Sequence, residues 1–271
     1  SFAPQTKRMI KFFRTVVLLL ICCSVSYTTM AWGVQGHRVV GEIASRYISK
    51  KTDRAIVSIL GHESIAITSN WADFIKSDPS YNFLSNWHYI NLPAGLTKDA
   101  VFNFLATDTA TDVYTKINWL AQELKNKNLE SDKKKLYLRL LIHFVGDVHQ
   151  PMHAGRVEDL GGNRITLNWF GDASNLHQVW DSRLIDFQHL SYTEHAAAVD
   201  YSNKSLRKKL QTQPVQEWVW ESYQLAETIY AGVKTGERLS YDYNFKYIAT
   251  VNDQLLKAGI RLAGLLNSIF G

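Results

Sequence analysis

The residues best suited to chemistry lie in one short stretch, 143–153, which contains three histidines and one aspartate. Apolar residues recur before it at helical spacing, so His143 and Asp147 should lie one turn apart on the inward face of a helix. A buried imidazole and a buried carboxylate are costly unless they are paired, and a divalent metal ion suits both. Pro151 should end the helix, which would let His153 turn back as a third ligand. The alternative is a core histidine hydrogen-bonded to Asp147, with the other histidines on the surface.

A second pair of the same type, His177 and Asp181, has the same spacing of four residues. Two such pairs in one chain favour a metal site over a purely structural histidine. Asp73 and His88 could also act as ligands, although each taken alone is better explained as a solvated acid and a packed histidine. His37, in the first turn of another predicted helix, leaves both interpretations open.

Hydrophobic periodicity predicts that helices position these groups. Predicted helices follow residue 37 and cover 52–60, 68–76, 97–126, 192–208, 215–233 and 246–268. Residues 86–91 should be extended or a loop, and the turn at 161–163 should lead into one short strand, 165–169. No linker or repeat divides the chain, and 46% of its residues are apolar, which is ample for a core. The sequence therefore predicts an all-α protein with one domain, residues 32–271.

Residues 1–31 have the pattern of a secretory signal peptide: a basic segment, an apolar run and a small-residue cleavage site after Ala31. They hold four of the 30 Lys and Arg residues and none of the 25 Asp and Glu residues. The mature chain would therefore carry a net charge of about +1, which excludes the strongly basic surface that is typical of many nucleic-acid-binding domains. Both cysteines, Cys22 and Cys23, would also be removed, which leaves His, Asp and main-chain groups as metal ligands. We expect a secreted or periplasmic protein.

Several motifs occur together in a fixed order along nearly the whole mature chain. They are a tryptophan at its start with a histidine five residues on, then WAD at 71–73, WHY at 87–89, HFVGDVHQPMH at 143–153, GGN at 161–163 and HxxxD at 177–181. This set resembles the zinc-dependent single-strand nucleases of the S-one/P-one family. The resemblance implies the phospholipase C/P-one nuclease type of multi-helix bundle, with at most a short β-hairpin.

The resemblance also implies a cofactor of three Zn²⁺ per chain. The first would be held by Asp73, His88, His143 and Asp147, and the second by His153, His177 and Asp181. The third would be held by His37, the shared Asp147 and the free amine and carbonyl of Trp32, which would require cleavage after Ala31.

The implied activity is hydrolysis of phosphodiester bonds in single-stranded DNA and RNA to 5′-phosphates, together with 3′-nucleotidase activity. Lys76 would neutralise charge on phosphorus, and Asn163 would hold a phosphate oxygen or the attacking water unless it is only a turn residue. Tyr89 would stack on a base, which favours single strands. Asn91 stands where better-known fungal members have Asp, which puts the base preference in doubt.

The expected substrates are single-stranded nucleic acid and 3′-nucleotides. No obligate protein partner or membrane contact is implied, and we expect a monomer. His149 matches no ligand of the family and should lie behind the ligands or on the surface, whereas the remaining histidines, His62, His189 and His195, should face solvent. A zinc-dependent phospholipase C of the same fold is the nearest alternative, and a zinc-storing protein without catalysis is a second one.

Overall fold

The structure is a computed structural model that describes residues 32–271. The predicted signal peptide lies outside the described residues. The first half of this range is helical, with short 3₁₀ segments at Ile75–Ser77 and Pro79–His88. The α-helices are α1 Val34–Tyr47, α2 Lys50–Leu60, α3 Ile65–Thr68, α4 Trp71–Phe74, α5 Lys98–Thr107, α6 Val113–Leu124 and α7 Ser131–Asp147.

The second half begins with a 3₁₀ turn, Pro151–Ala154, and a small sheet of β1 Thr166–Trp169, β2 Asp172–Asn175 and β3 Arg238–Leu239. A continuous helical segment follows β2, consisting of α8 Leu176–Gln178, a π-helical turn at Val179–Arg183 and α9 Leu184–Asp186. The remaining helices are α10 Tyr192–Val199, α11 Lys204–Gln211, α12 Val215–Ala231 and α13 Tyr241–Phe270.

The long helices α1, α7 and α13 pack together at the centre of the core. Helix α13 lies against α1 at Gly259, where an added Cβ would come within 2.5 Å of the Cβ of Ile43. This close approach needs a glycine, because any larger side chain would push the two helices apart. The tight packing holds the start of α1, and therefore His37, against the end of α7.

The all-α prediction is confirmed, and the sheet has one more strand than the predicted hairpin. Strands β1 and β2 pair antiparallel through a two-residue turn, in which Phe170 and Gly171 both have positive φ (51° and 101°). The added strand β3 is only two residues long and pairs parallel with β1. It comes from a segment more than 60 residues further along the chain, so local sequence signals could not reveal it.

Three predicted helices are interrupted in the structure. The segment 97–126 is divided between α5 and α6, because Asp112 caps α6 and accepts a hydrogen bond from the main-chain N–H of Thr115 (2.9 Å). The segment 192–208 is divided in the same way by Asn203, whose side chain accepts from the N–H of Leu206 (2.9 Å). Residues 68–76 form the end of α3, α4 and a 3₁₀ turn, separated at Asn70. Side chains that cap a helix compete with helix continuation, and the caps at Asp112 and Asn203 decided the first two boundaries.

Candidate metal centre and substrate cleft

The fold brings the predicted metal-binding side chains together in three buried groups. In each group the candidate ligand atoms all lie within 4.8 Å of one another. The groups are His37, His143 and Asp147; Asp73, His88 and His143; and His153, His177 and Asp181. They draw on α1, α4, α7, the 3₁₀ segments and the α8 region, so the site depends on the packing of distant parts of the chain.

Asp147, the last residue of α7, is fully buried; it belongs to the first group and also contacts His88 of the second. Its Oδ2 atom is 2.9 Å from Nδ1 of His88 and 3.2 Å from Nε2 of His143. Its Oδ1 atom is 3.3 Å from Nε2 of His37. One carboxylate therefore faces imidazoles on both of its oxygens, which is the arrangement needed for a ligand shared by two metal ions.

The residue before Asp147 explains how His37 reaches this position. An added Cβ at Gly146 would lie 2.7 Å from Nδ1 of His37, so the imidazole occupies the space that a side chain would take. The His37 ring also stacks on that of His143, with ring centroids 3.9 Å apart and an interplanar angle of 18°. Gly146 therefore helps to form the site, and sequence analysis missed it, although a glycine among candidate ligands near a helix end can indicate a close approach of another group.

The third group is arranged around Asp181, which lies in the π-helical turn. Oδ2 of Asp181 is 3.2 Å from Nε2 of His177, and its Oδ1 is 3.7 Å from Nε2 of His153. The side-chain amide of Gln150 also donates to Asp181 Oδ1. Sequence analysis missed Gln150, whose only signal was its place inside the histidine-rich stretch. Turns of π-helix are often found at functional sites.

The start of the described chain lies beside this group. The main-chain N–H of Gly33 donates to the carbonyl oxygen of Asp181 (2.7 Å), and the side chain of Trp32 is fully buried. This hydrogen bond ties the segment before α1 to the metal-binding region. That Trp32 contributes main-chain ligands beside His37 and Asp147 stays a prediction.

Main-chain carbonyl groups orient three of the imidazoles. In each, Nδ1 lies 2.6–2.7 Å from a carbonyl oxygen and must donate to it, which leaves the lone pair of Nε2 directed into the group. The pairs are His143 with Ser69, His153 with His88, and His177 with Gly161. Metal-binding histidines are commonly held in this way by a hydrogen bond to the other ring nitrogen.

Several buried atoms in the three groups have no hydrogen-bond partner among the described residues. Buried polar atoms are almost always paired, so a cluster of unpaired ones needs a ligand to account for it. The atoms are Nε2 of His37, His88, His153 and His177, Oδ2 of Asp73 and Oδ1 of Asp147. Imidazole nitrogens and carboxylate oxygens with free lone pairs are the donor set of zinc, so these residues fit metal ions.

Burial sets the protonation states that metal binding requires. It lowers the pKa values of His37, His88 and His153 well below the ordinary histidine value, so that these rings are neutral near neutral pH. Burial also raises the pKa of Asp147 to about 6. For His143 the effect of burial is outweighed by the attraction of the neighbouring carboxylates, which raises its pKa.

A cleft of about 350 Å³ opens beside the three groups. His88, His153 and His177 line it together with all four predicted substrate-binding and charge-neutralising residues, Lys76, Tyr89, Asn91 and Asn163. Tyr81, Asn82 and Ser85, which sequence analysis did not identify, line the same cleft. Apart from Trp32, the predicted site residues therefore lie either in the metal-binding groups or on the wall of one cavity.

Polar contacts hold the side chains of the cleft wall. Nζ of Lys76 lies 2.5 Å from Oδ1 of Asp73, which places its charge next to the metal-binding carboxylate. The hydroxyl group of Tyr89 donates to Asn86 (2.9 Å), and the side-chain amide of Asn163 donates to the carbonyl of Leu160 (2.8 Å). Asn163 therefore has a structural contact in its turn while its side chain faces the cleft.

The remaining histidines lie outside the metal-binding groups. His149 is fully buried; its Nδ1 donates to the carbonyl of Val145 (2.7 Å) and its Nε2 accepts from Arg261 (2.9 Å). The prediction that His195 faces solvent is wrong: it is buried and hydrogen-bonded to Asn252 (2.8 Å). Helix α10 packs on α1, and this packing covers a side chain that the local pattern left exposed. His62 and His189 are exposed as predicted.

Comparison with known proteins agrees with this geometry. Residues 32–271 match the family described as S1/P1 Nuclease. The chain is 29% identical to Endonuclease 3 of Arabidopsis thaliana over 297 residues, covering 94% of each protein. It is 27% identical to Nuclease P1 of Penicillium citrinum over 270 residues, which cover 89% of this chain and 98% of that relative. It is also 27% identical to Nuclease S1 of Aspergillus oryzae over 168 residues, 59% of this chain and 57% of the relative.

The family match covers all the described residues, including the three buried groups and the cleft. It confirms the resemblance drawn from the motifs, and with it a nucleic-acid substrate. The chain belongs to the S1/P1 nuclease family and is a nuclease, a hydrolase of phosphodiester bonds.

Proposed function

We propose that the protein is a secreted, zinc-dependent endonuclease that cleaves single-stranded DNA and RNA to 5′-phosphate products and also acts as a 3′-nucleotidase. The observation that carries this proposal is the meeting of three His/Asp groups around Asp147 and Asp181 at the wall of one cleft. A site that only stored zinc would not need a cleft lined by a lysine and an aromatic ring. Catalytic zinc sites, in contrast, open onto the space where substrate binds.

The proposed ligand sets follow the three groups. Asp73, His88, His143 and Asp147 would hold the first zinc, His153, His177 and Asp181 the second, and Trp32, His37 and Asp147 the third. Neutral imidazoles and carboxylates suit zinc, and the lack of cysteine in the described residues leaves no softer ligand. Bound zinc would supply Lewis acidity, which lowers the pKa of water and neutralises charge on a phosphate group.

The residues of the chain would bind and orient the phosphodiester. The ammonium group of Lys76, held by Asp73, would lie close to a phosphate in the cleft and stabilise the charge that grows on its oxygens. The side chain of Asn163 would hold a phosphate oxygen or the attacking water, because its contact with Leu160 uses only one of the two amide hydrogens. Both roles use side chains that are already positioned before substrate binds.

Tyr89 and Asn91 would account for the preference for single strands. The Tyr89 ring lines the cleft two residues from Asn91, so a base could stack on the ring while its edge contacts the amide. A base within a duplex is already stacked on both faces and paired along its edge, and so it is excluded. Asn91 offers donors as well as an acceptor, and base preference should therefore be broad.

Secretion is proposed from the composition of residues 1–31 and the proposed role of the Trp32 amine. Within residues 32–271, no helix combines the length and the apolar character needed to cross a lipid bilayer. The near-zero net charge expected for the mature chain limits nucleic-acid binding to the cleft and its surroundings. We propose a monomer without an obligate protein partner.

The experiment combines metal analysis with a comparison of substrates. The secreted protein should contain about three zinc ions, cleave single-stranded DNA and RNA much faster than duplex, and lose activity with a chelator until zinc is restored. Mass spectrometry should detect 5′-phosphates. Phosphatidylcholine, assayed in parallel, should not be hydrolysed. Equal cleavage of single strands and duplex, or turnover of phosphatidylcholine instead of DNA, would refute the proposal.

A matched pair of lysine variants tests the cleft itself. Lys76→Met should lower kcat by at least about tenfold, because a charge next to the reacting phosphate is lost. Lys98→Met is the control, since Lys98 also pairs with a carboxylate, that of Glu217 (2.8 Å), but does not line the cleft. Equal activity of the two variants would remove Lys76 from the proposed mechanism.

A further inference from the structure

Six aromatic side chains form a continuous series of ring contacts, and one of them, Tyr81, lines the cleft. We call Trp71, Tyr81, Phe83, Trp87, Trp119 and Tyr137 the aromatic ladder. Successive ring centroids along it are 5.5, 6.2, 5.5, 6.0 and 4.9 Å apart. These residues come from α4, the Pro79–His88 segment, α6 and α7, so only the folded chain brings them together.

The ladder is exposed where it leaves the cleft. Tyr81 lines the cleft itself, beside His88. The next ring, Phe83, is 55% exposed, and Trp119 further along is 36% exposed. Single exposed apolar residues are ordinary, but connected aromatic rings that extend from an active-site cleft mark a binding surface.

Cations lie on the rings of the ladder. Nζ of Lys116 is 4.3 Å from the ring centroid of Trp87 and 5.0 Å from that of Trp119. At the other end, the guanidinium of Arg139 lies 5.1 Å from the Trp71 ring, but it also pairs with Glu63 (2.6 Å). Lys116 is therefore the cation of the ladder that is better placed to meet a phosphate.

We infer that the aromatic ladder extends the binding site for a single strand, so that nucleotides flanking the cleaved bond stack on Tyr81, Phe83 and Trp119. This inference rests on the proposed function. Exposed rings with an interleaved cation are what a single strand requires, because bases stack on aromatic faces while the backbone follows positive charge. The ladder is continuous with the cleft through Tyr81, which favours nucleic acid over a protein partner as its occupant.

The length of the substrate is the variable that tests this inference. A thymidine dinucleotide can fill only the cleft, whereas a twelve-nucleotide strand reaches the ladder. Phe83→Ala and Trp119→Ala should each raise KM for the twelve-nucleotide strand by at least about fivefold, the effect of one lost base stack. KM for the dinucleotide should not change. Phe245→Ala is the matched control, because Phe245 is 86% exposed on α13, away from the ladder.

Lys116→Met tests the cation separately while keeping most of the side chain. Log KM for the twelve-nucleotide strand rises with log salt concentration, and the slope should fall by about 0.7 when one phosphate contact is lost. The corresponding slope for the dinucleotide should stay the same.

Phe83→Tyr is the conservative counterpart of Phe83→Ala. It keeps an aromatic ring, so its KM for the twelve-nucleotide strand should equal that of the wild type.

Two results would overturn the inference. One is an unchanged KM for the long strand in Phe83→Ala and Trp119→Ala proteins that keep the zinc content and melting temperature of the wild type. The other is an equal rise in KM for the two lengths. If Trp119→Ala is unstable, Phe83→Ala still decides the matter, since Phe83 is mostly exposed. Failure of the proposed function would differ from both, because the wild-type protein would then not cleave single strands.

Discussion

Replacing Asp147 with Asn should change stability in opposite directions in the metal-free and the zinc-loaded protein. Asp147 is fully buried and faces His37, His88 and His143. Asn has nearly the same shape, and its amide group can donate to Nε2 of His143, which lies 3.2 Å from the carboxylate it replaces. It has no charge, however, and it has only one oxygen for the two proposed metal ions.

The magnitude follows from the pKa of Asp147, which burial raises from 3.8 to about 6. Because the folded-state pKa is raised, the ionised carboxylate destabilises the metal-free protein. Below about pH 4 the carboxyl group is protonated in both the folded and the unfolded state, so this destabilisation is absent. The destabilisation grows as the pH rises to about 6 and then stays constant. The difference corresponds to about 3 kcal/mol. Metal-free Asp147→Asn should therefore be more stable than the metal-free wild type by about 2–3 kcal/mol at pH 7.5, and equally stable at pH 4.

In the presence of zinc the order should be reversed. The variant should retain about one zinc ion, in the group of His153, His177 and Asp181, and should lose turnover of single-stranded DNA. The assays are urea unfolding with and without a chelator at both pH values, and metal analysis of the folded protein. Asp186→Asn is the control for zinc content and turnover, because Asp186 also has a raised pKa but lies outside the three groups.

The reasoning would be refuted by either of two outcomes. A metal-free variant that is less stable than the wild type at pH 7.5 would mean that the buried carboxylate is stabilising without metal. Retention of all three zinc ions by the variant would mean that Asp147 is not a shared ligand.

Five other changes to the chain have expected outcomes. Tyr89→Ala should raise KM for single-stranded oligonucleotides about tenfold with zinc content unchanged, and Asn91→Asp should change the relative rates on the four homopolymers. His149→Ala should keep all the zinc in metal analysis but lose about 2 kcal/mol in urea unfolding, because it leaves the buried Arg261 without one acceptor. A protein with one residue added before Trp32 should contain about two zinc ions per chain by metal analysis. In the protein that begins at Trp32, the third zinc ion should dissociate first on acidification, since an α-amine with a pKa of ~7.7–8.0 must lose its proton to bind. Asp112→Asn should keep the cap of α6 but flatten the pH dependence of the free energy of unfolding. Burial and the neighbouring Asp108 raise the pKa of Asp112 to about 7, so the wild type should lose stability as the pH rises from about 4 to 7, and the variant should not.

The sequence determined the parts of this protein that depend on neighbouring residues. The spacing of four between His143 and Asp147, and between His177 and Asp181, placed each pair on one helical face whatever the rest of the chain does. Apolar periodicity identified the long helices, and the motif order identified the family. The grouping of the ligands came from that resemblance and not from the spacing of the residues, because His88 and Asp147 are 59 positions apart.

The tertiary structure decided what depends on contacts between distant segments. Capping by Asp112 and Asn203 divided two predicted helices, because a local side-chain hydrogen bond outweighed a continuous apolar pattern. Packing of α10 on α1 buried His195, and the missing side chain of Gly146 made room for His37. The contacts of Asp147 with three imidazoles and the series of rings that passes through Tyr81 exist only after the helices pack. Burial and ring contacts arise between two segments, so no single segment of sequence can predict them.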